Sequence, residues 1–217
     1  GQLRKIVVWS PRDKVKKLVS KKKNVPVKLE KELIPLRKAV FLDRDDTLVE
    51  SYGHRPANSP DEIKLLNSVV PGLKMLKEAG FLLVVVSNQG GIGLGYVTKK
   101  SVHAQNDRLN DLLIMAGGPE IDAFIFCPHA PAEGCFCRKP NPGMIVDMSK
   151  ELRINPTKSY IIGDDPRDML AGKRAGLGGC IALGNRRFPP GPGDFDAKFP
   201  NMIQCAAAIL ILEEDKL

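Results

Sequence analysis

The chain has 217 residues, 43% of them hydrophobic, which suits one α/β domain with a substantial core. No apolar stretch is long enough to span a membrane, and the opening nine residues lack the apolar region and cleavage site of a signal peptide, so a cytoplasmic location is expected. A chain that starts on Gly1 is also expected to lack its native beginning. The formal charge of +8 is unevenly placed: residues 1–38 carry 13 Lys/Arg against 3 Asp/Glu, and the remainder carries 20 against 22.

The basic character therefore belongs to an N-terminal extension over residues 1–37, ahead of a domain over residues 38–217. Such an arm reads first as a solvated extension, and its charge also suits nucleic acid, an anionic membrane or a phosphorylated partner. Beyond Trp9 it has no aromatic residues interleaved for base stacking.

In chain order, residues 6–9 predict a short strand, and Ser10-Pro11 a helix start with Pro at the first helical position. Residues 24–36, with Pro26 and Pro35, predict an extended segment. From Ala39 the pattern alternates. Strands are predicted over 39–42, 81–86, 123–126, 160–162 and 179–183, the second a continuous apolar run of the kind buried on both faces of a parallel sheet. Helices are predicted over 70–79 (closed by Gly80), 99–115 (capped by Thr98), 144–152, 167–175 (ended by Gly176) and 202–212. Residues 187–196 form a Pro/Gly-rich loop, expected to be mobile. Strand–helix alternation predicts a doubly wound, Rossmann-like parallel α/β sheet.

Four predicted strand or loop ends carry chemistry. Asp43-Arg44-Asp45-Asp46-Thr47 follows the first strand, Ser87-Asn88-Gln89-Gly90-Gly91 the second, Arg138-Lys139-Pro140 lies further on, and Gly163-Asp164-Asp165-Pro166-Arg167-Asp168 follows the fourth. Ligands in open α/β sheets bind beyond the carboxyl ends of strands. A carboxylate pair there repels a bare phosphate and makes chemical sense with a cation present, so the set reads as a magnesium and phosphoryl-transfer centre. Of the five cysteines, Cys127, Cys135 and Cys137 fall within eleven residues, and an odd count without a secretion signal argues against a disulfide framework. With His129 they supply three thiols and one imidazole, enough to close a tetrahedral zinc site. Cys180 and Cys205 sit in apolar surroundings and read as core residues.

The order Asp-x-Asp-x-Thr, Ser-Asn-Gln, Arg-Lys-Pro, Gly-Asp-Asp-x-x-Asp resembles the haloacid dehalogenase superfamily of phosphatases, over roughly residues 38–183. Within it, the Cys-x-His and Cys-x-Cys pairs resemble the zinc loop of the branch that holds the heptose-bisphosphate and histidinol-phosphate phosphatases. The resemblance implies that Asp43 is a nucleophile forming an aspartyl-phosphate, and that Asp45 is the general acid and base. It further implies Mg²⁺ held by Asp43, the Asp45 backbone and Asp164, with Ser87, Asn88, Arg138 and Lys139 binding phosphate or substrate. Zinc on Cys127, His129, Cys135 and Cys137 would be structural, pinning the loop that places Arg138 and Lys139. Thr47 would support the motif loop.

Only 43 residues separate Asp43 from Ser87, which leaves no room for a large cap domain, so loops are expected to exclude water, with Tyr52, His54 and Arg55 as candidates for substrate contact. Three positions depart from the resembled pattern: Asp46 stands where glycine is usual, Leu94 where an arginine is common, and Asp165 where a lysine often follows Asp164. These changes remove two cations and add two carboxylates, which should weaken binding of a bisphosphate. The function expected is Mg²⁺-dependent hydrolysis of a small phosphorylated metabolite, a sugar bisphosphate such as heptose 1,7-bisphosphate first, by a monomer or small homo-oligomer. The alternatives are a histidinol-phosphate phosphatase, a nucleic-acid-end phosphatase, or a non-catalytic binding module with the same fold.

Overall fold

The run Ala-Val-Phe-Leu is buried throughout as β1 (Ala39–Leu42), next to the middle of a six-stranded parallel sheet. The computed structural model describes residues 35–53, 55–184, 188 and 195–214. The expectations for residues 6–9, 10–13 and 24–34, for His54 and for most of the loop 187–196 lie outside the described residues. The other strands are β2 (Leu82–Asn88), β3 (Ala123–Cys127), β4 (Tyr160–Gly163), β5 (Gly179–Leu183) and β6 (Ala197–Phe199). Their order is β3-β2-β1-β4-β5-β6. Ala39 lies opposite Leu82 on one side of β1, and Val40 opposite Tyr160 on the other.

Two-residue alternation sorts the apolar side chains onto two faces. Val40, Leu42, Leu83, Val85 and Ile162 pack with residues of α1 (Val69–Glu78), α2 (Lys99–Met115) and α5 (Met202–Glu214). Phe41, Val84, Val86, Ile161 and Ala182 pack with residues of α3 (Gly143–Glu151) and α4 (Pro166–Arg174). The sheet is therefore doubly wound, as expected. Thr98 caps α2 by accepting from Ser101 N, and Gly80 and Gly176 take positive φ just past α1 and α4.

Two predicted boundaries are corrected. The strand expected to stop at Val86 continues to Asn88, because Ser87 and Asn88 pair with Phe126 and Cys127 through backbone atoms that are indifferent to side-chain polarity. The sheet does not end at β5: β6, three half-exposed residues without an apolar run, extends its edge. Between β1 and β2 lie a 3-10 turn (Pro60–Glu62) and α1, and between β2 and β3 lies α2, so no large cap is inserted among the described residues. No described helix is long and apolar enough to cross a membrane. The chain winds outward from β1 to β3, then returns to β4 on the other side of β1. The crevice between β1 and β4 is the switch point at which such sheets bind ligands.

Candidate active site

At that switch point a cavity of about 300 Å³ opens, with Asp43 from the end of β1 and Asp164 from the end of β4 on its wall. Lys139 enters from the segment before α3 and is 3% exposed. Its Nζ donates to Asp43 Oδ1 at 2.5 Å and to Val86 O at 2.7 Å, and lies 2.6 Å from Asp168 Oδ1. Burial works against the ammonium charge, but the carboxylates of Asp168 and Asp43 outweigh it and hold Lys139 protonated, above its ordinary range. Asn88 fixes this segment from β2: its Nδ2 donates to Lys139 O at 2.9 Å and its Oδ1 accepts from Lys139 N at 3.0 Å. Asn88 thus lines the cavity while its amide clamps the lysine backbone.

Asp168 comes from the first turn of α4, where its Oδ2 accepts from Asp165 N at 3.1 Å. It reaches the site because residue 163 is glycine: a Cβ there would sit 2.4 Å from Asp168 Oδ2. Carboxylate oxygens of Asp43, Asp164 and Asp168 lie within 4.8 Å of one another. Three hard oxygen donors, two of them in contact with Lys139, match the ligand preference of Mg²⁺. Burial, opposed by Lys139 and reinforced by Asp168 and Asp45, pushes the Asp43 carboxyl up to about 8, an imbalance that a divalent cation would relieve. Asp168 thus joins Asp43 and Asp164 in this side-chain cluster.

Asp45 lines the same cavity, and its carboxylate accepts from Arg44 Nε and Nη2 at 3.0–3.3 Å and from Gln89 Nε2 at 2.9 Å. Gln89 Nε2 also donates to Ser87 Oγ at 2.8 Å. Thr47 is fully buried, away from the cavity. Asp46 takes φ +60°, the left-handed region glycine favours, and its Oδ1 accepts from Ser51 N at 3.2 Å. Asp46→Ala should therefore cost about 1–2 kcal/mol, whereas Asp46→Asn, which tolerates that backbone and keeps the acceptor, should stay within about 0.5 kcal/mol. Urea unfolding of the two variants checks this; equal stability of both would contradict it.

The cavity wall carries more positive charge than the sequence suggested. Arg55, Arg138 and Arg167 all line it. Asp165 lines the cavity as well. It caps α4 by accepting from Arg167 N at 2.9 Å, and its carboxylate is forked by Arg167 Nε at 2.8 Å and Nη2 at 2.9 Å. Arg167 therefore pairs the added charge of Asp165, and is not a further cation in place of those lost. Arg55 is forked on Glu62 at 2.8 Å through both terminal nitrogens, and Tyr52 donates its hydroxyl to Glu62 O at 2.8 Å and does not line the cavity. Leu94 is half-exposed, also off the cavity wall.

The four predicted zinc ligands come together. Cys127 ends β3, and its Sγ lies 3.5 Å from His129 Nδ1, 3.5 Å from Cys135 Sγ and 3.4 Å from Cys137 Sγ. His129 Nδ1 and Cys137 Sγ are 3.2 Å apart, and Cys135 and Cys137 Sγ are 3.5 Å apart. A tetrahedral zinc with bonds of about 2.3 Å to sulfur needs edges of about 3.8 Å between sulfurs, so the set fits the ion with small adjustment. Four protein donors close the shell, which is the structural type. Arg138 and Lys139 follow Cys137 directly, and Arg138 Nη1 donates to His129 O at 3.3 Å, so the cluster sets the position of both cations. Cys180 and Cys205 are buried in the two cores, where burial pushes each thiol up to about 12.

Sequence reading missed four contributors: Arg44, Gln89, Asp168 and Arg167. Each sits inside a segment already singled out, but none has a role that spacing alone reveals.

The family model described as polynucleotide kinase 3 phosphatase matches residues 38–179. The D-glycero-beta-D-manno-heptose-1,7-bisphosphate 7-phosphatase of Pasteurella multocida is 38% identical over 154 residues, covering 68% of this chain and 82% of that protein. The histidine biosynthesis bifunctional protein HisB of Legionella pneumophila is 37% identical over 133 residues, 61% of this chain and 38% of that protein. The crystal structure of D,D-heptose 1,7-bisphosphate phosphatase from B. bronchiseptica, complexed with magnesium and phosphate, is similar at a TM-score of 0.70 and 26% identity, over 81% of this chain and 99% of that one.

Proposed function

The chain belongs to the haloacid dehalogenase phosphatases, in the family described as polynucleotide kinase 3 phosphatase, and from that premise we propose that it is a magnesium-dependent phosphomonoesterase acting through an aspartyl-phosphate on a sugar bisphosphate of the heptose 1,7-bisphosphate type. The observation that carries this reading is the convergence of Asp43, Lys139 and Asp168 at the switch point, beside the open, arginine-lined cavity. Asp43 attacks phosphorus through a carboxylate oxygen as the bond to the leaving oxygen breaks, and Asp45 delivers a proton to that oxygen. Water then attacks the phosphorus of the acyl phosphate, Asp45 takes the water proton, and inorganic phosphate leaves with Asp43 restored. Lys139 and Ser87, both on the cavity wall, bind the equatorial phosphoryl oxygens in this reading. Asp43, Asp164 and Asp168 would hold Mg²⁺, which when bound offsets the repulsion between carboxylate and phosphate. Arg138 supplies positive charge on the wall that suits a second phosphate, while Arg55 and Arg167 are paired with Glu62 and Asp165.

Comparison of kcat/KM for sugar bisphosphates, sugar monophosphates, histidinol phosphate and a 3′-phosphorylated oligonucleotide tests the substrate class. The bisphosphate should lead by about tenfold or more, the value of one charge-assisted contact. A lead for histidinol phosphate or for the oligonucleotide would move the chain to another branch.

Mg²⁺ binding should also be pH-dependent. With Asp43 ionising near 8, the ion has to displace a proton at lower pH, so affinity should rise about tenfold per pH unit up to about 8 and then level. Calorimetric titration from pH 6 to 9 reads this directly, and a flat profile would show that Mg²⁺ displaces no proton from Asp43 in this range.

A further inference from the structure

Resting on the reading of Asp45 as the proton donor, we infer that Arg44 is a positioning residue that orients Asp45 toward the leaving oxygen and receives the carboxylate that proton donation leaves behind. Asp43 and Asp45 line the cavity, whereas the Arg44 side chain between them turns inward and is 0% exposed. A guanidinium taken wholly out of water is costly unless its donors are met, and here they are met in one direction. Nε and Nη2 both approach the Asp45 carboxylate, and Nη1 donates to Asn106 Oδ1 at 3.3 Å. Asn106 is itself buried on α2, 62 residues further along the chain, so it ties the fork to a rigid helix. The turn is rigid as well: Arg44 O accepts from Leu48 N at 2.9 Å and Val49 N at 3.1 Å. Buried Gln89 holds Asp45 Oδ2 from the other side and links it to Ser87.

The partners described for the Asp45 carboxylate are N–H donors of two different side chains, which fix its direction. The fork distances of 3.0–3.3 Å exceed the roughly 2.7–2.9 Å of a tight charge-assisted pair, so the fork orients the carboxyl without locking it. In the phosphorylation step a bond forms from Asp43 oxygen to phosphorus, the bond from phosphorus to the leaving oxygen breaks, and the Asp45 proton passes to that oxygen. The resulting Asp45 carboxylate is the species the fork matches.

Leaving-group dependence separates this role from a merely structural one, because a sugar alkoxide needs the proton and a dinitrophenolate does not. The measure is kcat/KM, which reports steps through phosphorylation of Asp43, with Mg²⁺ present. Arg44→Lys should lose about 100-fold on a sugar phosphate, the cost of a misplaced catalytic group, while staying within about threefold on dinitrophenyl phosphate. Asn106→Ala should show the same selectivity at about tenfold, and decides the matter if Arg44→Lys does not fold. Asp45→Asn provides the reference signature. Equal losses on both substrates for Arg44→Lys and Asn106→Ala, with Asp45→Asn still selective, would overturn the role of Arg44 alone. An unselective Asp45→Asn would remove Asp45 as the proton donor, and the role of Arg44 with it.

Discussion

Asp43→Asn should abolish turnover, lowering kcat by about 10⁴-fold or more, as loss of a covalent nucleophile does elsewhere. The substitution keeps the shape of the side chain and changes one thing at the centre of the site: it removes the oxygen nucleophile that Lys139 aligns at 2.5 Å. Lys139 would retain Asp168 and Val86 O, so the cavity should stay assembled. Stability provides an independent readout of the same residue. Burial raises the folded-state carboxyl of Asp43 to about 8, above the 3.8 of an exposed aspartate, so the folded state binds its proton more tightly than the unfolded chain does. In the metal-free protein that contribution is most favourable below about pH 4 and is lost progressively as pH rises toward 8. Asp43→Asn should flatten this part of the pH–stability curve. A variant that still turns over at more than a few per cent of the normal rate would remove Asp43 as the nucleophile.

The zinc loop carries the second large effect. Cys135→Ser should release the metal and lower kcat/KM by about 100-fold or more, because Arg138 and Lys139 lose their placement. The supports described for the segment from His129 to Cys137 include the 3-10 turn Pro131–Glu133 and single bonds: Ala130 N to Glu133 Oε1 at 2.7 Å, Asn141 Nδ2 to Cys135 O at 2.9 Å, Arg138 Nη1 to His129 O at 3.3 Å and Gly143 N to Phe136 O at 3.2 Å. Structural zinc contributes about 10–16 kcal/mol of apparent binding free energy in small peptides, far more than these bonds supply. Elemental analysis should find about one zinc per chain in the unaltered protein and close to none in the variant. Cys180→Ser, at a residue that shares a core with Cys127 and Cys137 but is not one of the four ligands, should keep the zinc. A Cys135→Ser variant with full zinc content and normal activity would refute a structural role for the cluster.

Much of the fold was legible because it rests on burial. A six-residue apolar run such as 81–86, directly after Gly80, suits a strand covered on both faces, and Thr98, Gly80 and Gly176 mark helix ends through backbone chemistry that a single residue reveals. The edge strand Ala197–Phe199 was not legible, since its pairing comes from backbone contact with β5 and its side chains carry no burial signal.

The site divides along the same line. Asp43, Ser87, Lys139 and Asp164 were readable as residues at strand and loop ends, and the cavity brings them together. The interactions that adjust their chemistry were not readable. Asp168 reaches Lys139 only because Gly163 lets α4 approach, Arg167 neutralises Asp165 across two residues of a cap, and Arg44 turns away from its neighbours into the core. All three depend on side-chain direction, which spacing in a sequence does not specify. The same cause hid the partner of Asp165, whose charge was counted as unpaired in the sequence.

The central claim, covalent phosphoryl transfer through the first aspartate after β1, is tested most directly by rapid acid quench of the enzyme during turnover of dinitrophenyl phosphate with Mg²⁺, followed by peptide mapping. A phosphoryl group on the peptide that contains Asp43, absent from Asp43→Asn, is the predicted result. A phosphoryl group on any other residue, or turnover with no phosphorylated enzyme at any quench time, would contradict it.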